Sequence, residues 1–381
     1  MKHYNSGKYI SQGYYKSFQP TFINRQLLID NMEVLSLLSQ ADRELGRLDM
    51  YSKYIPNIDL FISMHVLKEA TQSSKIEGTQ TNIDEALLDK EDIPVDKRQD
   101  WEEVQNYIKA MEWVVNELKS LPFSSRLIKG THRVLLQRVR GEKRQPGQFR
   151  NSQNWIGGAT LNDAVFIPPA HTSVPDLMSD IEKFIHNEEI YIPELLKIGL
   201  IHYQFETIHP FQDGNGRVGR LLIPFYLISK GILQRPILYL SDFFERNRKL
   251  YYDNLMIVRE KSNLTQWFKF FLVGIIETSK NGISTFDSIL QLQKFVEDSI
   301  QSLRSRAANA KKVLDYLYNK PVINAEKVSK IAKISMPSSY KLIVDLEKIK
   351  ILKEVTGGQR GRLYVFDNYL KLFKRNTPSW Q

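Results

Sequence analysis

The segment HPFQDGNGRVGR at residues 209–220 separates two strongly apolar stretches, and it constrains the fold more than any other feature of the sequence. Apolar residues recur at helical spacing through residues 192–208. Pro210 disfavours helical geometry in the residue before it, so this helix is expected to end at His209. Residues 221–230 are apolar nearly all round, which is typical of a buried helix. The sequence therefore predicts two core helices joined by a polar, glycine-rich loop.

The loop combines a flexible backbone with cationic side chains. Gly214, Gly216 and Gly219 let the backbone turn freely and approach a ligand closely. The N–H groups and the positive dipole end of the following helix form a site for an anion. Arg217 and Arg220 add two fork-shaped donors suited to phosphate oxygens. Together these features favour a phosphorylated ligand.

Three further side chains of the loop supply groups for phosphate chemistry. Asp213 offers a hard oxygen ligand for Mg²⁺ carried by phosphates. Asn215 can donate a hydrogen bond to a phosphoryl oxygen. His209 has a side chain whose charge normally changes near neutral pH, so it is a candidate base. A base, a metal ligand and a phosphate cradle thus fall within residues 209–220.

Three other interpretations of the loop are weaker. Residues 214–219 match G-x-G-x-x-G, but a dinucleotide fingerprint follows a strand, and here a helical pattern precedes it. His202, Glu206 and His209 could present three metal ligands on one helical face. We favour a core role for His202, because the sequence has neither zinc-enzyme helix motif. A purely structural loop with His209 as a helix cap explains the glycines but not the base, the carboxylate and the arginines together.

The same loop resembles the signature of Fic-domain proteins, HPFx[DE]GNGRxxR, and matches it at every defined position. The similarity extends beyond the motif. Residues 154–158 (NWIGG) with 166–169 (FIPP) resemble the flap hairpin of that family, and residues 247–252 resemble its post-motif helix. Residues 73–78 (SSKIEG) fit the inhibitory motif [ST]xxxE[GN], which lies N-terminal to the core in one class of the family.

This resemblance implies protein adenylylation, the transfer of AMP from ATP to a Ser, Thr or Tyr hydroxyl of a protein with release of pyrophosphate. It implies that His209 is the general base on the target hydroxyl and that Asp213 holds Mg²⁺ between the phosphates. Residues 156–158 of the flap would register the target chain by main-chain pairing. The residues implied to contact or border ATP are Glu77, Ile156, Gly157, Gly158, Asp213, Gly214, Asn215, Gly216, Arg217, Val218, Gly219, Arg220, Tyr252, Leu255 and Arg259. The last three would border the adenine.

The resemblance also implies an inhibitory contact. Glu77 would pair with Arg220, and Ser73 would steady the inhibitory helix. Arg220 could then no longer hold the γ-phosphate, and ATP would bind in a non-productive pose. A carboxylate can bind arginine through both of its oxygens, which makes this pair a credible latch.

The overall composition narrows the class of protein. The chain has 381 residues, no cysteine and a formal net charge of 53 − 43 = +10. The lack of cysteine excludes disulfides, thiolate metal sites and cysteine nucleophiles, and it favours a reducing cytoplasm. The N-terminus has no apolar run of a signal peptide, and no stretch approaches the roughly 20 apolar residues of a membrane span. We therefore expect a cytoplasmic protein with no membrane partner. The positive charge fits a polyanionic partner or a merely basic protein.

The C-terminal residues 307–381 have a pattern of their own. Three helices are predicted, followed by two strand-like runs, which is the order of a winged helix; they lie at 307–318, 324–332, 336–348, 351–355 and 363–366. If this region binds DNA, its third helix would be the recognition helix, and Arg360 and Arg362 would form the wing. Winged helices also dock proteins or form dimers, so both partners stay open.

We predict a mainly α-helical fold, with a Fic helical core, a β-hairpin flap and a small C-terminal winged-helix domain. A turn is expected at residues 280–284. The predicted division is 1–110 for an N-terminal helical region with the inhibitory helix, 111–280 for the Fic domain, 281–306 for a connecting helix and 307–381 for the winged-helix domain.

The leading function is a protein adenylyltransferase, inhibited by its own Glu77. Alternatives in the same class use another donor, such as UTP or a phosphocholine carrier, or remove AMP from a protein. An alternative of a different class is a nucleotide-sensing regulator that binds DNA. Self-modification stays open because the chain has 18 tyrosines and many serines. A homodimer also stays open, because one sequence identifies no dimer surface.

Overall fold

The computed structural model describes residues 4–54, 58–358 and 361–374, and these are mainly helical. Its N-terminal elements are β1 (Gly7–Ser11), β2 (Lys16–Pro20), α1 (Met32–Tyr54), α2 (Ile58–Ile76), α3 (Ile83–Ala86), α4 (Arg98–Glu117) and α5 (Ser125–Leu135). The central helices are α6 (Val174–His186), α7 (Glu194–Ile208), α8 (Asn215–Ser229), α9 (Ser241–Arg246), α10 (Arg248–Lys261) and α11 (Leu264–Gln301). The C-terminal elements are α12 (Ala307–Asn319), β3 (Val322–Ile323), α13 (Ala325–Ala332), α14 (Met336–Lys348), β4 (Lys353–Glu354), β5 (Tyr364–Val365) and α15 (Asp367–Lys374).

Helix α7 lies at the centre of the fold. All of residues 195–208 are buried, because α8, α10 and α11 pack around the helix. The Trp267 indole donates to the Gly199 carbonyl at 2.8 Å and ties α11 to α7. The second core helix, α8, is also largely buried, in agreement with the predicted pair of apolar helices. The loop between them therefore starts and ends on rigid elements.

Helix α8 begins at Asn215 rather than at residue 221, so the predicted start was wrong. Gly214 has a left-handed conformation, with φ of +75°, and caps the helix. Glycine adopts this conformation at little cost, which lets the helix start within the motif. The second half of the motif is thus the first turn of a helix, not part of a loop.

The turn expected at residues 280–284 is also wrong, because α11 runs unbroken from Leu264 to Gln301. Gly282 serves close helix packing here. A Cβ at that position would lie 2.9 Å from the Leu48 side chain of α1, which packs along α11. The buried residues Ile283 and Phe286 continue the apolar face of the helix. Tertiary packing thus overrides the local turn pattern of Lys-Asn-Gly.

An antiparallel hairpin, β1 with β2, precedes the helices and was not predicted. It pairs Tyr9 with Phe18, and the Phe18 N–H donates to the Ile167 carbonyl at 2.9 Å. The Phe18 ring also lies 5.9 Å from the ring of Phe166. The hairpin therefore supports the base of the segment predicted to be the flap.

The C-terminal strands form an antiparallel sheet in the order β3-β5-β4, and helices α12, α13 and α14 occupy the predicted positions. The winged-helix assignment and its DNA or protein partner stay predictions. Arg362 donates to the Gly358 carbonyl at 2.7 Å, whereas Arg360 lies outside the described residues. Helix α4 continues through the predicted boundary at residue 110, and α11 continues through the one at residue 280. The division into domains also stays a prediction.

None of the described helices combines the length and the hydropathy that a membrane-spanning segment needs.

Candidate active site

His209 ends α7 in a left-handed backbone conformation, with φ of 50° and ψ of 61°. A residue other than glycine held in this region stores about 1–3 kcal/mol of strain, so its surroundings must fix it. Arg150 does so by donating through Nε to the His209 carbonyl at 3.0 Å and through its backbone N–H to the Pro210 carbonyl at 2.8 Å. Asn154 donates to the His209 and Phe211 carbonyls at 3.2 and 2.9 Å. The sequence pattern indicated neither role.

The His209 ring is partly buried beside charged groups. Burial lowers the pKa of His209 to about 3, although the nearby Glu77 carboxylate opposes this shift. The imidazole is therefore neutral at physiological pH. A neutral imidazole can accept a proton, which is the state that a general base requires.

Hydrogen bonds within the loop fix the residues after His209. The Asn215 amide accepts from the Phe211 N–H and donates to the Phe211 carbonyl, both at 2.8 Å. The amide oxygen and one amide N–H of Asn215 thus close the loop. An amide has a second N–H, so donation from this side chain to a phosphoryl oxygen stays a prediction.

His132 of α5 also holds this loop. The Gly147 N–H donates to its Nδ1 at 2.8 Å, so the proton lies on Nε2, which donates to the Asp213 carbonyl at 2.9 Å. Burial lowers the pKa of His132 to about 4, so the ring is neutral. The ring stacks on Phe211 with centroids 3.8 Å apart. Sequence reasoning missed His132, because it lies 81 residues before Asp213.

The Asp213 side chain is 40% exposed at the mouth of this loop. Its Oδ1 accepts from the Gly214 N–H at 2.6 Å and lies 3.8 Å from Arg217 Nη2. Among the described residues no cluster of His, Cys, Asp and Glu could hold a metal by itself. One accessible carboxylate fits Mg²⁺, which keeps several waters and is commonly held by one or two carboxylates together with substrate phosphates.

The N-terminus of α8 has the backbone N–H groups on which the predicted anion site depends. Its first intrahelical hydrogen bond runs from the Val218 N–H to the Gly214 carbonyl, so the N–H groups of residues 215–217 have no partner within the helix. Glu77 lies directly above them, because a Cβ at Gly216 would collide with its Oε1. An internal carboxylate thus lies where the helix end favours negative charge.

Arg220 is 2% exposed and bonds to the end of α2. Its Nε donates to Ser73 Oγ at 2.8 Å, and its Nη2 donates to the Ser73 carbonyl at 2.9 Å and to Glu77 Oε1 at 2.7 Å. Burial alone would raise the pKa of Glu77, but the Arg220 guanidinium outweighs it and lowers that pKa below its usual value. The structure therefore brings together the three residues of the expected inhibitory contact, with Glu77 ionised.

Arg217 is 4% exposed and pairs with a carboxylate that the sequence did not indicate. Its Nη1 donates to Glu103 Oε2 of α4 at 3.2 Å. The neighbouring Val218 is fully buried, and a Cβ at Gly219 would collide with Glu206. Val218 and Gly219 therefore face the core rather than the anion site.

The flap is a short hairpin at residues 154–167. Ile156 and Phe166 exchange backbone hydrogen bonds, with the Ile156 N–H donating at 2.8 Å and the Phe166 N–H at 3.1 Å. Gly157 and Gly158 follow with φ of 70° and 75°. The expected hairpin is thus present, although it has a single pair of bridged residues.

The residues expected around adenine have different surroundings. Leu255 is buried, whereas Tyr252 is 38% exposed. Burial and the Glu77 carboxylate raise the pKa of Tyr252, so its phenol lies in the electrostatic field of the anion site. The Arg259 guanidinium donates to Thr207 Oγ1 and to the Glu206 carbonyl, each at 3.1 Å, and lies 3.8 Å from the centre of the Phe166 ring. Arg259 thus joins α7 to the flap.

His202 has the core role that we favoured. Its Nδ1 donates to the Gly219 carbonyl at 2.8 Å, and its Nε2 accepts from the Tyr251 hydroxyl at 2.9 Å. Burial lowers its pKa to about 3, so it remains neutral. This residue positions α8 and Tyr251 instead of holding a metal.

Comparison with known families agrees with this geometry. Residues 35–116 match the model of the Fic/DOC family N-terminal region, and residues 122–227 match the model of the Fic/DOC family. Residues 122–227 therefore resemble a Fic/DOC domain. The domain contains His132, the flap and the complete motif, and the N-terminal region contains Ser73, Glu77 and Glu103.

Individual relatives match parts of the chain. A probable protein adenylyltransferase of Aquifex aeolicus is 28% identical over 218 residues, which are 55% of this chain and 59% of that protein. Protein adenylyltransferase Fic of Aedes aegypti is 31% identical over 130 residues, which are 34% of this chain and 23% of that protein. The chain thus spans less than two thirds of the length of either relative.

Solved structures show a similar fold. The crystal structure of a Fic family protein from Desulfovibrio desulfuricans G20 has a TM-score of 0.60 at 17% identity, over 90% of this chain and 98% of that chain. A Fic domain containing signaling protein from Bacteroides thetaiotaomicron has a TM-score of 0.52 at 19% identity, over 67% of this chain and 97% of that chain. At these identities the likeness shows the fold alone.

Proposed function

We propose that this protein is an adenylyltransferase that moves AMP from ATP to a hydroxyl side chain of a protein, and that Glu77 inhibits it. The observation that carries the proposal is the position of Glu77. A carboxylate lies over the N-terminus of α8 and bonds to Arg220, so an internal anion occupies a site suited to phosphate. Names of the relatives that match the chain support the same reaction.

In this mechanism the target hydroxyl gives its proton to His209 as its oxygen bonds to the α-phosphorus of ATP. The bond from that phosphorus to the bridging oxygen breaks, and pyrophosphate leaves with the electron pair. Asp213 would hold Mg²⁺ on the phosphates, where the ion neutralises developing charge. The α8 N–H groups and Arg217 would bind the phosphate oxygens. Such transfer asks a protein mainly for positioning and charge stabilisation, which these groups supply.

Inhibition follows from competition for Arg220. The guanidinium of Arg220 donates hydrogen bonds to both Ser73 and Glu77. A γ-phosphate could take these donors only after Glu77 has moved. The proposed latch therefore withholds the Arg220 contact from the γ-phosphate of ATP.

A labelling assay tests the reaction, the donor and the latch together. Wild type, Glu77→Gly and the double variant Glu77→Gly/His209→Ala are incubated with Mg²⁺ and either α-labelled ATP or α-labelled UTP, and intact masses are taken. We expect an adenylyl mass increment from ATP, stronger in Glu77→Gly and missing after His209→Ala.

Other outcomes would redirect the proposal. Label from UTP alone would contradict ATP as the donor. A Glu77→Gly variant that labels no faster than wild type would show that Glu77 is not the latch. ATP binding without label from either donor would count against transfer and favour removal of AMP or a nucleotide-sensing regulator.

A further inference from the structure

Glu103 is a buried carboxylate that the mechanism above does not use. It is 2% exposed on α4, and its Oε2 accepts from Arg217 Nη1 at 3.2 Å and from Thr79 Oγ1 at 3.1 Å. Its Oε1 accepts from Arg140 Nε at 3.0 Å. A buried carboxylate needs such partners, because an unpaired charge in the interior is strongly destabilising.

Arg217 keeps free donors in spite of this pair. Its Nε is buried without a hydrogen-bond partner among the described residues, and its Nη2 lies 3.8 Å from Asp213 Oδ1. A buried donor left without a partner is rare, and at a functional site it indicates a place where a ligand completes the bonding. Glu103 therefore occupies one edge of the guanidinium and leaves the rest facing the anion site.

We propose that Glu103 is a positioning residue that holds Arg217 for the phosphates and keeps it from closing onto Asp213. This inference rests on the proposed function. Arg217 and Asp213 lie one helical turn apart, so without Glu103 the arginine would turn to Asp213, whose Oδ1 already lies 3.8 Å from its Nη2. That contact would neutralise the carboxylate that we assign to Mg²⁺.

Nucleotide binding tests this role without requiring catalysis. In the Glu77→Gly background, Glu103→Gln is expected to weaken the Kd for ATP about tenfold and to raise the Mg²⁺ concentration that gives half-maximal ATP binding. Lys90→Gln is the matched control, because it removes a surface ion pair of α4, that with Glu102, and leaves Glu103 and its partners unchanged. We expect its ATP and Mg²⁺ titrations to match those of the Glu77→Gly parent.

The outcomes separate this inference from the proposed function. An unchanged Kd and an unchanged Mg²⁺ dependence in folded Glu103→Gln would overturn the role of Glu103, whatever the labelling result. If no variant labels protein but ATP still binds, the proposed transfer is rejected. The ATP and Mg²⁺ titrations of Glu103→Gln would still decide the role of Glu103. If Glu103→Gln does not fold, Glu103→Asp keeps the charge one methylene farther from Arg217 and is expected to shift both titrations in the same direction.

The other end of α2 packs against the C-terminal region; Ser73 lies in this helix, and Glu77 follows it directly. Near its start, Phe61 lies 5.2 Å from the Tyr318 ring of α12 and 6.3 Å from the Tyr369 ring of α15. His65, one turn later, lies 5.1 Å from the Phe373 ring of α15. All five rings are buried, since His65 is 9% exposed and the other four are at most 3% exposed.

Polar contacts reinforce this junction. Ser63 Oγ donates to the Asn319 carbonyl at 3.0 Å, and Lys374 of α15 pairs with Asp84 at 2.6 Å, just beyond the latch. A helix rises about 1.5 Å per residue, so Phe61 and Ser73 are roughly 18 Å apart along one helix. The C-terminal region therefore contacts the start of the helix whose end contacts Arg220.

We infer that the C-terminal region braces α2 and thereby holds Glu77 on Arg220. This inference also rests on the proposed function. Phe373→Ala should loosen the junction and raise the labelling rate about threefold or more in the otherwise wild-type chain. It should add nothing in the Glu77→Gly chain, where no latch is left to release. Lys371→Ala, on the exposed side of α15, is the matched control and should leave both rates unchanged.

Hydrogen exchange of residues 73–79 gives a readout that does not depend on transfer. We expect faster exchange there in Phe373→Ala than in Lys371→Ala. Equal exchange, or an equal rise of labelling in both backgrounds, would overturn the brace. If no chain labels, the proposed function fails while the exchange result still decides. If Phe373→Ala does not fold, Phe373→Leu takes its place in both measurements. Leucine retains apolar volume but lacks the ring that packs against His65.

Discussion

The motif loop at residues 209–220 and the flap at residues 154–167 approach the same site, but they are held very differently. In the loop, the Asn215 amide forms hydrogen bonds with the backbone N–H and carbonyl of Phe211. Arg150 and His132 donate to the carbonyls of His209 and Asp213. The flap has one bridged pair, and its Trp155 and Val165 side chains are 41% and 68% exposed.

This difference separates two tasks. Groups that perform a reaction work best when their positions are fixed in advance. A segment that binds an extended partner chain needs free main-chain groups and accessible side chains instead. The comparison therefore predicts that changes in the loop act on the rate of transfer, whereas changes in the flap act on recognition of the target protein.

The largest effect is expected for His209→Ala. Loss of a general base commonly lowers a rate by about 10²–10⁴-fold. In the Glu77→Gly background we expect at least that loss of protein-bound label, with the Kd for ATP retained in equilibrium binding. A full loss of ATP binding would contradict a purely catalytic role for His209. It would also show that the loop does more than set the rate of transfer.

Graded release of the latch should give the next largest effect. We expect Glu77→Gly to raise the labelling rate about 5- to 150-fold, the usual range for coupling between sites. Ser73→Ala removes only the Nε acceptor of Arg220 and leaves two of its contacts, so it should give a smaller rise. A rise in Ser73→Ala that equals or exceeds that of Glu77→Gly would contradict the assigned order.

Arg150→Lys tests how the loop is held. The arginine contacts the carbonyls of Ile208, His209, Ser152 and Pro169, and a lysine cannot reproduce this fork. We expect the labelling rate of the Glu77→Gly chain to fall about tenfold, with the Kd for ATP within about twofold of its parent. Equal losses in rate and in ATP affinity would indicate general unfolding of the site.

Trp155→Ala tests the flap. Because this ring is exposed beside Ile156, we expect a loss of only a few-fold in label on the target protein and no change in the Kd for ATP. Tyr191→Ala, at another exposed aromatic residue, is the control. Weaker ATP binding in Trp155→Ala would mean that the flap serves the nucleotide as well.

The smallest effect is expected for pH. Because burial lowers the pKa of His209 to about 3, the base stays unprotonated as the pH falls from 8 to 6. Removing Glu77 also removes a charge that raises this pKa, so the Glu77→Gly chain should keep a flat labelling rate over that range. A tenfold fall per pH unit below about 6.5 would instead show an ordinary histidine.

The sequence predicted the elements whose residue pattern lies within one continuous segment. The helices around the motif and the flap hairpin correspond to local residue patterns, whereas the contact of Glu77 with Arg220 was implied by the resemblance of residues 73–78 to a family motif. Glu103, His132 and Arg150 escaped prediction, because their partners Arg217, Asp213 and His209 lie 114, 81 and 59 residues away. The first two contacts arise from the packing of α4 and α5 on α8, and the third comes from the irregular segment that leads into the flap. Local spacing encodes none of them.

Two errors have the same physical origin. Gly282 marks a close helix contact and Gly214 marks a helix start, yet each was interpreted from its backbone freedom alone. Glycine permits both turns and close packing, so only the neighbouring side chains decide between them. The N-terminal hairpin was missed for a related reason, since it is stabilised in part by the flap.

The proposed latch is part of the same chain as the site that it covers. Glu77 is therefore present at each Arg220 at an effective concentration set by the fold rather than by the amount of protein. Dilution or overproduction would leave the proportion of inhibited molecules unchanged. Each copy would then be inhibited by default, and activity would depend on what displaces α2 rather than on expression level.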